Sequence, residues 1–204
     1  MDKNQLRLKL ENFWYYYKWY VVGGVILVLR LLVGIRSCNR RIDADMQVLF
    51  AADKSPNSLL VAEMETWLAE MTPDVNEDGE AIARVLTTAT IDQWSGNNTA
   101  ALVVQATTGE AVLYILTEET YGILHENGLL QPLSGESPYL DGDRYLLKKS
   151  GALAAVPAFE AEEGEVYLCI RKVAGTNLEG SEKHIKQEEL AKSVLKQLIE
   201  KEVG

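Results

Sequence analysis

The chain has 204 residues with 30 acidic and 20 basic side chains, a net charge of −10, and 47% apolar residues. That is enough apolar content for a core and too much for a disordered chain, and the length suits one domain. The charge is unevenly placed: residues 1–41 hold eight Lys/Arg and two acids, net +6, which leaves 12 basic and 28 acidic groups and a net −16 for residues 42–204. So acidic a body excludes nucleic acid as its partner, because phosphate binding needs a concentrated positive face.

The basic head contains an apolar run from Trp19 to Ile35, broken only by Arg30. Seventeen helical residues span about 26 Å, close to the roughly 30 Å of a bilayer's hydrocarbon. Phe13, Trp14, Tyr15, Tyr16, Tyr17, Trp19 and Tyr20 form an aromatic block suited to the lipid headgroup interface. Arg30 at the centre of a span would cost about 2.5–3.5 kcal/mol, but it lies five residues from Ile35, about 7.5 Å, within snorkelling reach of the far interface. The expectation is a basic and aromatic segment over 1–18, one transmembrane helix over 19–36, a linker over 37–44 and an α/β domain over 45–204. Lys3, Arg7, Lys9 and Lys18 precede the span, and Arg36, Arg40 and Arg41 follow it. That count and the large body poor in positive charge place the N-terminus in the cytoplasm and the C-terminal domain outside, as in a single-pass signal anchor. Cys38 reads as a free juxtamembrane thiol, since Arg36 is badly placed for lipoprotein processing. Cys169 lies alone in a strand pattern, so the two cysteines form neither a disulfide framework nor a zinc cluster.

From residue 45 the pattern alternates. Met46–Ala52 reads as a strand. Ser55 as a cap and Pro56 in the first turn start a helix that places Leu60, Met64, Trp67, Leu68 and Met71 on one face, ending at Pro73. Arg84–Ile91 reads as a strand and Thr99–Thr108 as a crossover helix. Ala111–Leu116 is a strand, and Thr117 caps a helix stopped at Gly128. Ser134–Ser150 is turn-rich about Asp141–Gly142–Asp143, Ala152–Phe159 reads as an edge strand interrupted by Pro157, and Glu165–Arg171 alternates as a strand. The last helix runs from Ser181 to about Glu202, with Leu190, Val194, Leu195, Leu198 and Ile199 inward. This order predicts an α/β fold with a mixed sheet in three layers.

The sharpest local motif is Asp74-Val75-Asn76-Glu77-Asp78-Gly79-Glu80. Asp74, Asn76, Asp78 and Gly79 match positions 1, 3, 5 and 6 of a calcium loop, with Glu80 next. Position 12 is Val85 where such a loop has a bidentate Glu, so an Asx-type turn is favoured over a calcium site. His125 and His184 read as solvated. No H-E-x-x-H, G-x-S-x-G or G-x-G-x-x-G occurs, so no enzyme and no cofactor other than that Ca²⁺ is expected.

The order of strand, helix, D-x-N-x-D-G loop and strand, then "TTGEAVLYILTEETYGILHENGLLQPL" over 107–133 and "EVYLCIRK" over 165–172, resembles one lobe of the extracytoplasmic solute-binding proteins of sugar-type transporters. With its head, the chain resembles small membrane-anchored proteins of Gram-positive anaerobes. Those solute-binding proteins close two lobes on a ligand, whereas about 160 residues make one, so no ligand-contacting residue is carried over.

The expected function is a membrane-anchored, extracytoplasmic binding or interaction module. Its partners are the lipid bilayer and a small molecule or membrane complex. The crevice at the strand ends, near Asp53, residues 91–96 and Thr117–Glu119, is the expected ligand site, with Trp94 and Tyr121 as aromatic contacts. The alternatives are an accessory subunit of a membrane transporter complex, pairing Arg30 with another helix's acid, and an anchored hydrolase with a carboxylate site.

Overall fold

A computed structural model describes residues 3–38, 44–92, 96–161, 164–175 and 179–202. The chain divides into two compact units, residues 1–43 and 44–204. The first is a single helix, α1 (Lys3–Cys38), of 36 residues. Its aromatic and aliphatic side chains from Phe13 to Leu29 are exposed. The transmembrane part of the expectation is not supported: among the described residues no helix is long and apolar enough to cross a membrane. Arg30, Arg36, Trp19, Tyr20 and the glycine pair Gly23-Gly24 dilute the apolarity of the 19–36 stretch.

The second unit is the expected mixed α/β domain. β1 (Met46–Ala52), β2 (Ala83–Ala89), β5 (Leu113–Thr117), β8 (Val166–Ile170), β7 (Arg144–Leu146) and β6 (Leu140–Asp141) form one sheet in the order β2-β1-β5-β8-β7-β6. β1 runs parallel to β2 and β5, and the remaining pairs are antiparallel. A separate two-stranded ribbon joins β3 (Ile91–Asp92) to β4 (Gly96–Asn97).

Alternation along the strands sorts the core into two layers, because successive side chains point to opposite faces. On one face Met46, Val48, Phe50 and Ala52 of β1 meet α2 (Ser58–Ala69) through Leu60, Met64, Trp67 and Leu68, and α5 (Glu182–Glu202) through Ala191, Val194, Leu195 and Leu198. On the other, Leu49 and Ala51 meet α3 (Thr99–Thr108) through Leu102 and Ala106, and α4 (Glu118–Glu126) through Leu124. Each fully buried Leu, Phe or Met is worth about 1.5–3 kcal/mol relative to exposure.

Local chemistry corrects the expected boundaries. Asn57, not Ser55, caps α2: its Oδ1 accepts from the Leu60 amide at 2.7 Å. The strand expected to reach Ile91 breaks at Thr90, whose amide donates to the Ala52 carbonyl while its own carbonyl accepts from Asn98. The turn-rich 134–150 stretch contains the β6–β7 hairpin about Gly142. The expected strand over Ala152–Phe159 is instead two 3₁₀ helices, Ala152–Ala155 and Pro157–Ala161. Leu153, Val156 and Phe159 are its buried residues. Their spacing of three is the period of a 3₁₀ turn, and Pro157 starts the second helix, where its missing amide is harmless.

Arg171 follows β8 and is 2% exposed. It points to the α3 face and donates to the carbonyls of Gly109, at 2.7 Å, and Thr107. Tyr114 of β5 donates to the Ala106 carbonyl at 2.8 Å. Three carbonyls at the C-terminal end of α3, which have no partner within the helix, are thus satisfied from the sheet. Gly109 lets the chain close the helix end with its own amide on the Gln105 carbonyl at 2.8 Å, since a Cβ there would lie 2.5 Å from that oxygen. Replacing Arg171 by Leu should therefore cost about 3 kcal/mol, the penalty for unpaired buried carbonyls. Urea unfolding of the full chain followed by circular dichroism measures it.

Candidate functional site

The expected strand-end site lies where the chain leaves β1 for α2 on one face of the sheet and leaves β5 for α4 on the other, the kind of switch point at which open α/β sheets bind ligands. Its floor is held by the chain's own polar groups. Thr117 Oγ1 donates to Asp53 Oδ1 at 2.7 Å, so this threonine ties two strand ends together and makes none of the expected side-chain capping bond to α4. Buried Thr120 donates to the Ala51 carbonyl at 2.9 Å and lies 3.2 Å from the Thr117 hydroxyl. Glu118 and Glu119 are exposed at the start of α4. Trp94 lies outside the described residues.

Tyr121 belongs to a cluster at the junction of α4, the β6–β7 hairpin and β8. Its hydroxyl donates to Asp143 Oδ1 at 2.7 Å, and His125 Nδ1 lies 2.7 Å from Asp143 Oδ2. The Arg144 guanidinium sits 4.9 Å from the Tyr121 ring centre and 5.0 Å from that of Tyr167, within cation–π range. His125 stacks on Tyr121 at 5.3 Å, and Tyr167 packs against it at 5.1 Å. Burial, and after it the Asp143 carboxylate, raise the Tyr121 phenol. His125 is exposed, as expected, yet it is fixed by Asp143 rather than merely solvated. With Arg144, His125 and Tyr167 packed on its ring, Tyr121 organises the hairpin and offers little free aromatic surface.

The Asp74–Glu80 segment folds on itself. Asp74 Oδ2 accepts from the Gly79 amide at 2.8 Å, Asn76 Oδ1 from Asp78 at 2.9 Å, and Asp78 Oδ1 from Glu80 at 3.0 Å. Asp45 anchors the loop by accepting the amides of Val75, Asn76 and Ile82 at 2.8, 3.0 and 2.9 Å. Burial of Asp45 works against its charge, but the three amides prevail and hold its carboxyl below the usual range. Among the described residues no group of three or more His, Cys, Asp or Glu is placed to hold a metal ion.

Two features escaped the sequence. His184, read as solvated, is 8% exposed, and neither ring nitrogen has a hydrogen-bond partner among the described residues. Burial, then the nearby Arg171 and Lys183 charges, lower its pKa, while Glu110 opposes them. Glu110 itself bonds Lys183 at 2.6 Å and Gln47 at 3.2 Å. The second feature is a cavity of about 560 Å³ between the 131–136 segment and α5. Spacings of three and four from Lys192 to Glu200 signalled a helix face, but the segment across from it left no periodic trace.

Comparison with known proteins gives no match to a family model, to a curated protein or to a solved structure.

Two outcomes follow for stability. Because the fold lowers the His184 pKa, the imidazole binds a proton more readily when the chain is unfolded, so stability should fall as pH drops through about 6.5 and below. His184→Leu should flatten that part of the profile in melts recorded between pH 5 and 8. Asp45→Ala, which removes the acceptor of three amides, should cost about 2 kcal/mol, whereas millimolar Ca²⁺ should leave the wild-type melting temperature unchanged. A rise of several degrees with Ca²⁺ would assign the Asp74–Glu80 loop to metal instead.

Proposed function

We propose that the chain is a membrane-anchored, extracytoplasmic binding or interaction module, with α1 as anchor and the α/β domain as the part that binds. The observation that carries this reading is the surface of α1. Trp14, Trp19, Tyr20 and Leu27 are exposed by 56, 76, 79 and 63%, and their apolar neighbours surround the helix on every side. A helix apolar all round finds a stable environment only in lipid or against a partner. The aromatic block occupies headgroup depth, the stretch from Val21 to Leu29 enters hydrocarbon, and Arg30 extends to the far interface. Lys3, Arg7, Lys9 and Lys18, ahead of the apolar stretch, and a body poor in positive charge set the N-terminus in the cytoplasm. The domain acts by binding rather than by turnover, consistent with the absence of a catalytic sequence motif.

The full chain mixed with phosphatidylcholine–phosphatidylglycerol vesicles should float with them and stay bound through an alkaline carbonate wash. A V25D/L27D double variant should be released at least tenfold more, as expected when two acids enter hydrocarbon. Release of the wild type by carbonate would sink the anchor reading.

A further inference from the structure

The cavity beside α5 has an apolar floor and a mouth of both charge signs. Its floor is Leu133, Ile170, Leu195 and Ile199, and its charged groups are Lys192, Lys196, Glu136 and Glu200. Its volume of about 560 Å³ falls within the range of small-ligand sites, about 300–1,000 Å³. Gly135 shapes the wall: a Cβ there would lie 2.7 Å from Ile199 Cδ1, so glycine lets the 134–136 segment close over the helix.

The charges are ordered along α5. Lys192 and Lys196 precede Glu200 by eight and four residues, about 12 and 6 Å along the axis. The negative end of the helix dipole adds to Glu200, because α5 ends at Glu202. The two lysines touch acids of their own helix, Glu188 at 2.7 Å and Glu200 at 3.7 Å, in exposed pairs worth at most about 1 kcal/mol and readily exchanged for a ligand. Glu202 is committed elsewhere, accepting from Ser137 and Tyr145.

A ligand complementary to this layout carries a carboxylate at one end, an ammonium at the other and apolar groups between, spanning the rise of about 12 Å from Lys192 to Glu200. An extended tripeptide, at about 3.3–3.6 Å per residue, has that length. Building on the binding-module reading, we propose that the cavity takes a short apolar peptide with free termini. Its carboxylate lies on Lys192 and Lys196, its ammonium on Glu200, and its side chains on the Ile170–Leu195 floor.

The test is calorimetric titration of the full chain, in lipid nanodiscs or in buffer, with trileucine. Trileucine should bind saturably; N-acetyl-trileucine amide, which lacks both charges, should bind at least tenfold more weakly. K192Q/K196Q should weaken trileucine at least tenfold yet change the affinity for trileucine amide less than threefold. E200Q should do the reverse, weakening trileucine amide as well as trileucine while sparing N-acetyl-trileucine. No saturable binding at millimolar trileucine, equal binding of the blocked peptide, or tighter binding of octanoate would each overturn the proposal. Vesicle attachment is read separately, so peptide binding by a chain that fails to float would remove the anchor alone.

Discussion

The sheet of the α/β domain is joined to its α3 layer by a buried cation. A helix presents unpaired carbonyls at its C-terminal end, and burying them without partners would undo much of what the core gains. Arg171 answers from the end of β8, on the same face of the sheet as Tyr114, and closes the layer with bonds that apolar packing cannot supply. The surrounding features follow from this. Gly109 has to be small where the helix ends, β8 has to extend one residue past its regular pairing, and a neighbouring basic group must stay uncharged. At His184, burial and then the Arg171 charge lower the pKa and so disfavour the charged form. Lys183, whose charge reaches outward, is balanced by Glu110.

The same economy of charge governs the first unit in the opposite sense. The body keeps its acids on loops and helix surfaces, with Asp45 spent on backbone amides and Glu202 on two hydroxyls. In the proposed anchor, Arg30, which interrupts the apolar stretch, has a stem long enough to carry its charge out of hydrocarbon.

The architecture was legible wherever periodicity and length agreed. Leu60, Met64, Trp67 and Leu68 announced α2, Val194, Leu195 and Leu198 announced α5, and the unbroken apolar run at 111–116 announced an interior strand. Ala152–Phe159 failed because a spacing of three in a short alanine-rich stretch resembles alternation once Pro157 suggests an edge. Thr117 was legible as a helix start but not as a strap, since its partner Asp53 is 64 residues away. The site was less readable for the same reason. Arg171 looked like an ordinary charged strand end, and the cavity wall depends on Gly135 approaching Ile199, a contact between segments with no shared local pattern. The Asx-type bonds of the Asp74–Glu80 loop were legible because its side chains and the amides that donate to them are near neighbours.

The position of α5 has a consequence for biosynthesis. Ala191, Val194, Leu195 and Leu198 cover the face of β1 on which Val48 and Phe50 lie, and Gln187 bonds the backbone at Asp45 and Gln47. The first strand made is therefore covered by the last helix made. The core of the domain cannot close until α5 has left the ribosome.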